Sequence, residues 1–302
     1  MQELGFNPTR VDKGDPVSVI IGSMGEILKV DLEGRAVGKI SFPFPTQPSF
    51  GAVSSGRWIG AWVDRGLKKA CMGAISLESE SGDGRGRDFL RTWNNSASEV
   101  LPDSYLWTRD IEGEPMGVSS KSGKVTFGVL NTGIYMVDED ASEIWRVPYP
   151  QWPELQEFSN VDSIVDIVHT PEGITIWSES GGISLVSEHD GNTLMSRTLR
   201  LPERIIGVRH DVESGWMIMM SGRYAGMMKS LDSELEILKL PGPMMDSIGT
   251  SGGNWIWTGW RHDGKVENGA IEIQERGDIG ISILGGKVLT NSGCWSSHSF
   301  SE

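Results

Sequence analysis

The sequence predicts an all-β fold built from a repeated unit, and three observations support this prediction. A Gly-containing phrase rich in Trp and Ile recurs about every 40 residues, as in 55–62 (SGRWIGAW), 172–180 (EGITIWSES) and 252–260 (GGNWIWTGW). A second phrase follows it and marks the third strand of each unit, with Gly before alternating apolar residues and acidic residues after them, as in 133–141 (GIYMVDEDA) and 269–277 (GAIEIQERG). The 39 glycines and 14 prolines favour many tight turns, and no sustained run of apolar residues has helical spacing.

Each repeat contains four short predicted strands. In one repeat they cover 163–169, 173–179, 183–187 and 193–199, with short turns between them. Four strands joined in this way form an antiparallel meander, which cannot cover both of its faces alone. Packing the units against each other around a ring covers those faces and shields the sheet edges.

These repeats predict a β-propeller of four-stranded antiparallel blades. A ring of about seven units of about 43 residues uses the whole chain, so one domain is expected over 1–302, with 1–14 as a flexible N-terminal segment. Seven blades are favoured, and six remain possible, because the last unit is truncated after Gly293 and the first lacks its own inner strand. Pairing of the N- and C-terminal strands is expected to close the ring. Seven second strands are predicted, at 17–21, 58–63, 125–129, 174–178, 216–220, 255–259 and 288–291.

The repeats resemble blades of the β-propeller superfamily, and most loosely quinoprotein-type and NHL-type blades, whose third strand reads like 133–145 (GIYMVDEDASEIW). The resemblance covers nearly the whole chain as a pattern of blades, without a family signature. The regular Thr-Gly and terminal Trp of quinoprotein repeats are missing, as is the adjacent cysteine pair of many quinoprotein dehydrogenases. The resemblance therefore implies no quinone, and we predict no cofactor.

The charge and the cysteines limit the partners and the compartment. A formal net charge of −14 repels phosphate backbones and anionic lipid, so we expect neither a nucleic-acid nor a membrane partner. The N-terminal residues lack an apolar targeting segment, and two cysteines do not define a disulfide framework, so a cytoplasmic location is expected. We also predict a monomer. A bridge between Cys71 and Cys294 stays open, since ring closure brings the first and last units together. The histidine spacing predicts no metal site.

Tryptophans recur in the predicted second strands, at positions 58, 62, 177, 216, 255 and 257. Their regular placement in the repeats indicates packing between blades and not a binding surface. Seven methionines at 217, 219, 220, 227, 228, 244 and 245 are interpreted chiefly as gap fillers, with a soft metal site or a pliable contact surface as alternatives.

The longer connections indicate where binding resides. The predicted links between blades (42–49, 94–115 and 149–161) and between second and third strands (64–69 and 259–268) open on one face, around the mouth of the channel. Trp, Tyr and Arg side chains in such loops are typical interface anchors, which predicts a protein or peptide partner. The alternative is that several of these rings fold back onto the blade edges. The predicted binding residues are Arg65, Trp107, Arg109, Tyr149, Trp152, Tyr224, Trp260 and Arg261.

A small-molecule or glycan hydrolase or lyase is the alternative function. The triplet Asp-Ser-Ile occurs at Asp162 and again at Asp246, and with His262 these aspartates could form an acidic catalytic site at the mouth. The competing interpretation is that each aspartate caps a turn or binds the backbone of the neighbouring blade. No nucleophile elbow, phosphate-binding loop or Cys-x-x-Cys motif is present. The sequence does not name the ligand.

Overall fold

The computed structural model describes residues 3–92, 105–155, 162–267 and 269–300. Within these ranges, 26 strands form seven separate antiparallel sheets. The sheets follow one another along the chain, and the first strands of successive sheets contact each other around a common axis. The fold is a seven-bladed β-propeller, which confirms the predicted fold class and the favoured number of blades.

The blades are numbered along the chain, and their strands are given from the innermost outward. Blade 1 contains β1 (Pro8–Asp12), β2 (Val17–Gly22) and β3 (Ile27–Asp31); blade 2 contains β4 (Phe50–Ser54), β5 (Arg57–Asp64), β6 (Lys69–Ser76) and β7 (Tyr105–Asp110). Blade 3 contains β8 (Pro115–Lys121), β9 (Lys124–Val129), β10 (Gly133–Val137) and β11 (Glu143–Pro148); blade 4 contains β12 (Ile164–His169), β13 (Ile174–Ser178), β14 (Gly182–Val186) and β15 (Thr193–Thr198). Blade 5 contains β16 (Ile205–Asp211), β17 (Gly215–Met220), β18 (Tyr224–Met228) and β19 (Glu236–Lys239); blade 6 contains β20 (Met244–Thr250), β21 (Asn254–Gly259), β22 (His262–Glu267) and β23 (Ala270–Glu275). Blade 7 contains β24 (Gly280–Leu284), β25 (Lys287–Thr290) and β26 (Trp295–Ser297).

The core lies between the blades, and the second strands supply its largest side chains. All six predicted core tryptophans are buried, at positions 58, 62, 177, 216, 255 and 257. The Trp177 and Trp216 rings lie 5.0 Å apart between their centroids and join blade 4 to blade 5. The repeated tryptophans therefore hold neighbouring blades together, as predicted.

The ring closes through its two ends, which confirms the expected terminal pairing. Glu3 forms an antiparallel bridge with Cys294, and the Leu4 amide donates a hydrogen bond of 3.0 Å to the Gly293 carbonyl. Leu4 also packs in one apolar cluster with Trp295 of blade 7 and Val11 of blade 1. The N-terminal residues thus act as the outermost element of blade 7.

The N-terminal segment differs from the expectation. We expected residues 1–14 to be flexible and the first unit to lack an inner strand, but Pro8–Asp12 forms β1, the innermost strand of blade 1. This strand carries Arg10 and Asp12, which pair with each other at 2.7 Å. The charged pair faces the axis, so the strand lacks the apolar alternation by which sequence analysis detects strands.

Two predicted boundaries are also wrong. The predicted link 94–115 contains β7, the outer strand of blade 2, and part of it lies outside the described residues. The predicted link 259–268 contains β22, so the segment 269–277 supplies the outer strand of blade 6 and not its third strand. The connection between the second and third strands of this blade is only Trp260 and Arg261.

The two cysteines are free thiols, so no bridge joins them. Burial raises the pKa of the Cys71 thiol to about 12. In the described ranges, none of the helical segments is long and apolar enough to cross a membrane.

Candidate interaction face

The blades have two ends with different connections. At one end, here called the mouth face, lie the links between blades and the links between second and third strands. At the other end, here called the turn face, lie the turns between first and second strands and between third and fourth strands. The predicted binding residues were all assigned to the mouth face, but the structure places them in four different settings.

The most exposed group lies where blades 5 and 6 meet on the mouth face. Trp260 is 54% exposed, and its amide donates a hydrogen bond of 2.9 Å to the Pro243 carbonyl. A Cβ atom at Gly242 would lie only 3.1 Å from the Trp260 Cβ, so the ring sits directly against this loop. Arg261 follows at a φ of 59° in the left-handed region, and its side chain is exposed.

The loop beneath Trp260 connects it to two residues of blade 5. The Leu240 amide donates to the Arg223 carbonyl at 2.8 Å, and Arg223 immediately precedes half-buried Tyr224. Tyr224, Trp260 and Arg261, three of the eight predicted binding residues, are therefore gathered with Arg223 in one region, here called the 5–6 sector.

The entrance to the axial channel lies on the neighbouring innermost strands. Ile206 in β16 is 44% exposed, and half-buried Met245 occupies β20. Both residues line the axial cavity, whose volume is about 630 Å³. The same two blades therefore present an aromatic and cationic rim and an apolar channel wall.

Arg65 lies on the mouth face but apart from the 5–6 sector. Its exposed guanidinium forms an ion pair with Glu114 at the junction of blades 2 and 3. This pairing neutralises its charge locally, so Arg65 contributes less to a basic mouth than its sequence position predicts.

Tyr149 and Trp152 are buried, as the folding-back alternative describes. Tyr149 is 7% exposed, and its hydroxyl donates to the Asp162 carbonyl at 2.9 Å and accepts from the Ile164 amide at 3.0 Å. Trp152 is 3% exposed and covers Gly182, where a Cβ atom would lie 2.3 Å from its ring. Both rings anchor the link that enters blade 4 and leave little surface for a partner.

Trp107 and Arg109 point away from the mouth. They lie on β7 and reach the turn between β10 and β11 of the next blade. Trp107 Nε1 donates to the Glu139 carbonyl at 2.7 Å, and Arg109 Nη1 donates to the Ala141 carbonyl at 3.1 Å. The sequence analysis placed them at the mouth because it did not recognise β7 as a strand.

The three candidate catalytic residues are not assembled into one site. Asp162 precedes β12 of blade 4, and its Oδ1 accepts a hydrogen bond of 3.2 Å from the Ser180 amide. His262 begins the third strand of blade 6, where Nδ1 lies 3.0 Å from the Trp260 carbonyl. Asp246 lies on the innermost strand of that blade with different partners. Within the described ranges, no hydrogen bond or ion pair joins any two of the three.

Asp246 is the centre of a buried network across the channel. Its Oδ2 lies 2.6 Å from Lys13 Nζ of blade 1, and its Oδ1 accepts a hydrogen bond of 3.0 Å from Arg209 Nε of blade 5. The Ser282 hydroxyl and the Ile283 amide of blade 7 donate to Oδ2 at 2.7 Å and 2.9 Å. One carboxylate thus ties its own blade to three others, which agrees with the interpretation that it binds the neighbouring blade.

The charges in this network alter its proton equilibria. Burial disfavours ionisation of Asp246, but Lys13 and Arg209 outweigh burial, and the pKa of Asp246 is held below its ordinary value. Burial lowers the pKa of Lys13 despite the facing carboxylate. Asp166 accepts from the Val208 amide at 2.9 Å, and burial raises its pKa against the opposing effect of Arg209. The charges of this network are largely compensated within the protein.

The sequence analysis missed this network because its members are distant in the chain. Lys13, Asp166 and Arg209 carry no motif, and their one shared signal is a charged residue in or beside an innermost strand.

In the described part of the chain, no cluster of three or more His, Cys, Asp or Glu side chains could hold a metal ion. Burial lowers the pKa of His169 to about 4, and Thr126 Oγ1 lies 3.1 Å from its ring.

Comparison with known proteins supports the architecture. No protein-family model matches the chain, and no curated protein matches it significantly. The WD40 β-propeller domain of Doa1 superposes with a TM-score of 0.66 at 10% identity, over 99% of this chain and 96% of that one. The chain shares the fold of WD40-type propellers.

Two other solved structures agree. The β-propeller domain of Cps50 (Swd1) from Myceliophteria thermophila gives a TM-score of 0.63 at 11% identity, over 95% of this chain and 93% of that one. The computationally designed protein Ika8 gives 0.57 at 10% identity, over 99% of both chains. Identities this low show the fold alone, so the quinoprotein-like and NHL-like character of the blades stays a prediction.

Proposed function

We propose that this protein is a non-catalytic scaffold that binds a protein or peptide partner on its mouth face, through the 5–6 sector. The observation that carries the proposal is Trp260, a large ring that is 54% exposed beside two exposed arginines, Arg223 and Arg261. Trp and Arg are the residue types that most often supply binding energy in protein interfaces.

The surroundings of Trp260 favour such a role. The residue is held at the end of β21 by a backbone hydrogen bond and by the packed loop at Gly242, so little freedom remains to be lost on binding. The exposed Ile206 at the channel entrance adds apolar surface on the same blades.

The charges of the sector suggest the chemistry of the partner. Arg223 and Arg261 are exposed, and Arg204 is exposed with a 3.6 Å contact to Glu179. Glu203 accepts a hydrogen bond of 3.2 Å from the Arg223 amide, so the three arginines outnumber the two nearby carboxylates. On a body with a formal net charge of −14, a local group of cations favours a partner segment that carries carboxylates beside an apolar side chain. The WD40-type fold of the solved relatives is in keeping with a scaffold, because stacked repeats present broad binding surfaces.

Quantitative affinity capture from native extract tests this proposal. The double variant Trp260→Ala/Arg261→Glu should lose specific partners by about tenfold or more, because truncating an interface anchor costs about 2 kcal/mol or more. Both side chains are exposed, so the thermal unfolding midpoint should stay close to that of the wild type.

A matched variant on the turn face provides the control. Val212, which is 78% exposed, and exposed Lys121 lie at turns between first and second strands, and Val212→Ala/Lys121→Glu should retain the same partners. Equal recovery of every partner by the wild type and the mouth variant would contradict the proposal.

A further inference from the structure

We propose a second, separate binding site on the turn face, in the cleft between blades 5 and 6, for an extended peptide segment that carries an apolar residue next to a basic residue. This site, here called the 5–6 cleft, lies at the opposite end of the blades from the 5–6 sector. The inference does not depend on the proposed function of the mouth face.

The cleft is a concave site with an apolar floor. Its volume is about 380 Å³, within the range of about 300–1,000 Å³ that is usual for ligand pockets. Met227, Trp255 and Val266, which pack in one apolar cluster, form the floor. The β18–β19 turn (229–235) and the β20–β21 turn (251–253) form opposing walls, so the cleft is built from two neighbouring blades.

Met227 is less buried than most methionines of its stretch, as is Met245 in the channel wall. In the stretch where methionines concentrate, five side chains are buried in the core, at positions 217, 219, 220, 228 and 244. Met227 is only partly buried, and it faces the cleft. A flexible, polarisable thioether at a half-open apolar floor can adapt to different apolar side chains.

The rim of the cleft carries two carboxylates that, in the described part of the chain, are not paired with cations. Glu234 and Glu236 are exposed, and within the described residues neither side chain forms a hydrogen bond or an ion pair. Exposed Glu213, which is outside the lining, accepts a hydrogen bond of 3.3 Å from the Gly252 amide of the β20–β21 turn. Lys229 is the single cation among the lining residues, and its Nζ lies 3.5 Å from the Gly253 carbonyl.

This balance identifies the occupant. Two lining carboxylates against one lining ammonium disfavour an anionic ligand and favour a cation, while the floor requires an apolar group beside it. A peptide with adjacent apolar and basic residues meets both conditions, because the apolar side chain can fill the floor while the basic head reaches Glu234 and Glu236. The axial channel differs in this respect, since its charged side chains pair with one another.

An array of capped hexapeptides tests the site. Each peptide has a glycine–serine background with one Leu, Phe or Trp next to Arg, Lys or Glu, and selected peptides are titrated by fluorescence polarisation. We expect selection of the Arg and Lys peptides. Glu234→Gln/Glu236→Gln should weaken their binding by about fivefold to twentyfold, and Lys229→Gln should strengthen it by about twofold to fourfold, since exposed charges at a rim each change the affinity only modestly.

Two controls separate the cleft from other effects. Asp232→Asn removes a carboxylate from the same turn but outside the lining, and it should leave peptide affinity unchanged. Trp260→Ala/Arg261→Glu should also leave it unchanged, which distinguishes this site from the mouth face. The proposal is overturned if no hexapeptide binds at millimolar concentration, if the Glu peptides are selected, or if the two Glu→Gln changes have no effect.

Discussion

Asp246 shows how single residues fix the arrangement of the blades. Its carboxylate is shared by Lys13 and Arg209 and accepts two further hydrogen bonds from blade 7. Water reaches almost none of this carboxylate, so the surrounding protein must compensate its charge and its lone pairs. The residue that resembled a catalytic acid in the sequence is therefore a structural centre of the channel.

Replacing Asp246 should be strongly destabilising. Asp246→Asn keeps the size of the side chain but leaves Lys13 and Arg209 without their shared anion, and breaking a buried ion pair in this way costs about 3–5 kcal/mol. Urea denaturation at pH 7 should show a lower free energy of unfolding by about that amount. Lys265→Gln breaks exposed contacts to Glu267 and Glu272 instead, and it should change the free energy by less than about 1 kcal/mol. Similar losses for the two variants would refute the structural role of Asp246.

At this scale, sequence reasoning detected the apolar residues and missed the charged ones. Repeated Trp and Ile are visible because burial between blades selects them at a fixed position in each repeat. Lys13, Asp166 and Arg209 compensate one another's charge across the channel, so any one of them looks like an ordinary surface residue in the sequence. The same reason hid β1, whose charged pair Arg10–Asp12 faces the axis.

The second strands are the elements that transmit packing from blade to blade. In β13, Trp177 is fully buried and its ring meets Trp216 of β17. Trp177 Nε1 donates a hydrogen bond of 3.0 Å to Thr175 Oγ1 in its own strand, so the indole loses no hydrogen bond on burial. The strand thus places an apolar ring between two sheets without an unsatisfied donor.

A pair of tryptophan substitutions measures this contribution. Trp177→Ala should lower the free energy of unfolding by about 3–5 kcal/mol, because it leaves a cavity between blades 4 and 5. Trp260→Ala removes the same side chain from an exposed position and should change it by less than about 1 kcal/mol. Chemical denaturation of the two variants checks the difference, and comparable losses would show that Trp260 belongs to the core.

Blade 6 shows why some elements could not be predicted. Its third strand, β22, begins with His262 and Asp263, which are buried but polar. Asp263 is satisfied by hydrogen bonds from Thr258, Arg276 and Ser299 at 2.8–3.1 Å, and these partners come from other segments of the chain. Without knowledge of those partners the strand resembles a polar loop, and the neighbouring segment of β23, with its alternating isoleucines, was taken for the third strand.

The whole molecule depends on the seam between its two ends. Blade 7 has only three strands of its own, and the Glu3–Cys294 bridge adds the missing outer element. If the contact between the two ends were lost, the ring would open and two blade faces would be exposed to water at once. The stability of the propeller should therefore be sensitive to small changes at residues 3–6.

Two substitutions at one position separate hydrogen bonding from burial at the seam. Leu4→Ala keeps the amide that donates to Gly293 and should cost about 2–3 kcal/mol for the lost packing. Leu4→Pro removes that donor as well and should cost about 1–3 kcal/mol more. Equilibrium unfolding measures both values, and equal stability of the two variants would mean that the hydrogen bond across the seam contributes nothing.

The position of the seam also has a consequence for the newly made chain. Residues 3–6 are synthesised long before their pairing segment at 293–294, which appears only after nearly all the other blades have been made. During this interval Leu4 and Phe6 lack the blade 7 surface that buries them in the finished ring. Nascent chains halted before residue 280 should therefore expose the apolar side chains of Leu4 and Phe6. A chaperone would be most useful at this stage of synthesis.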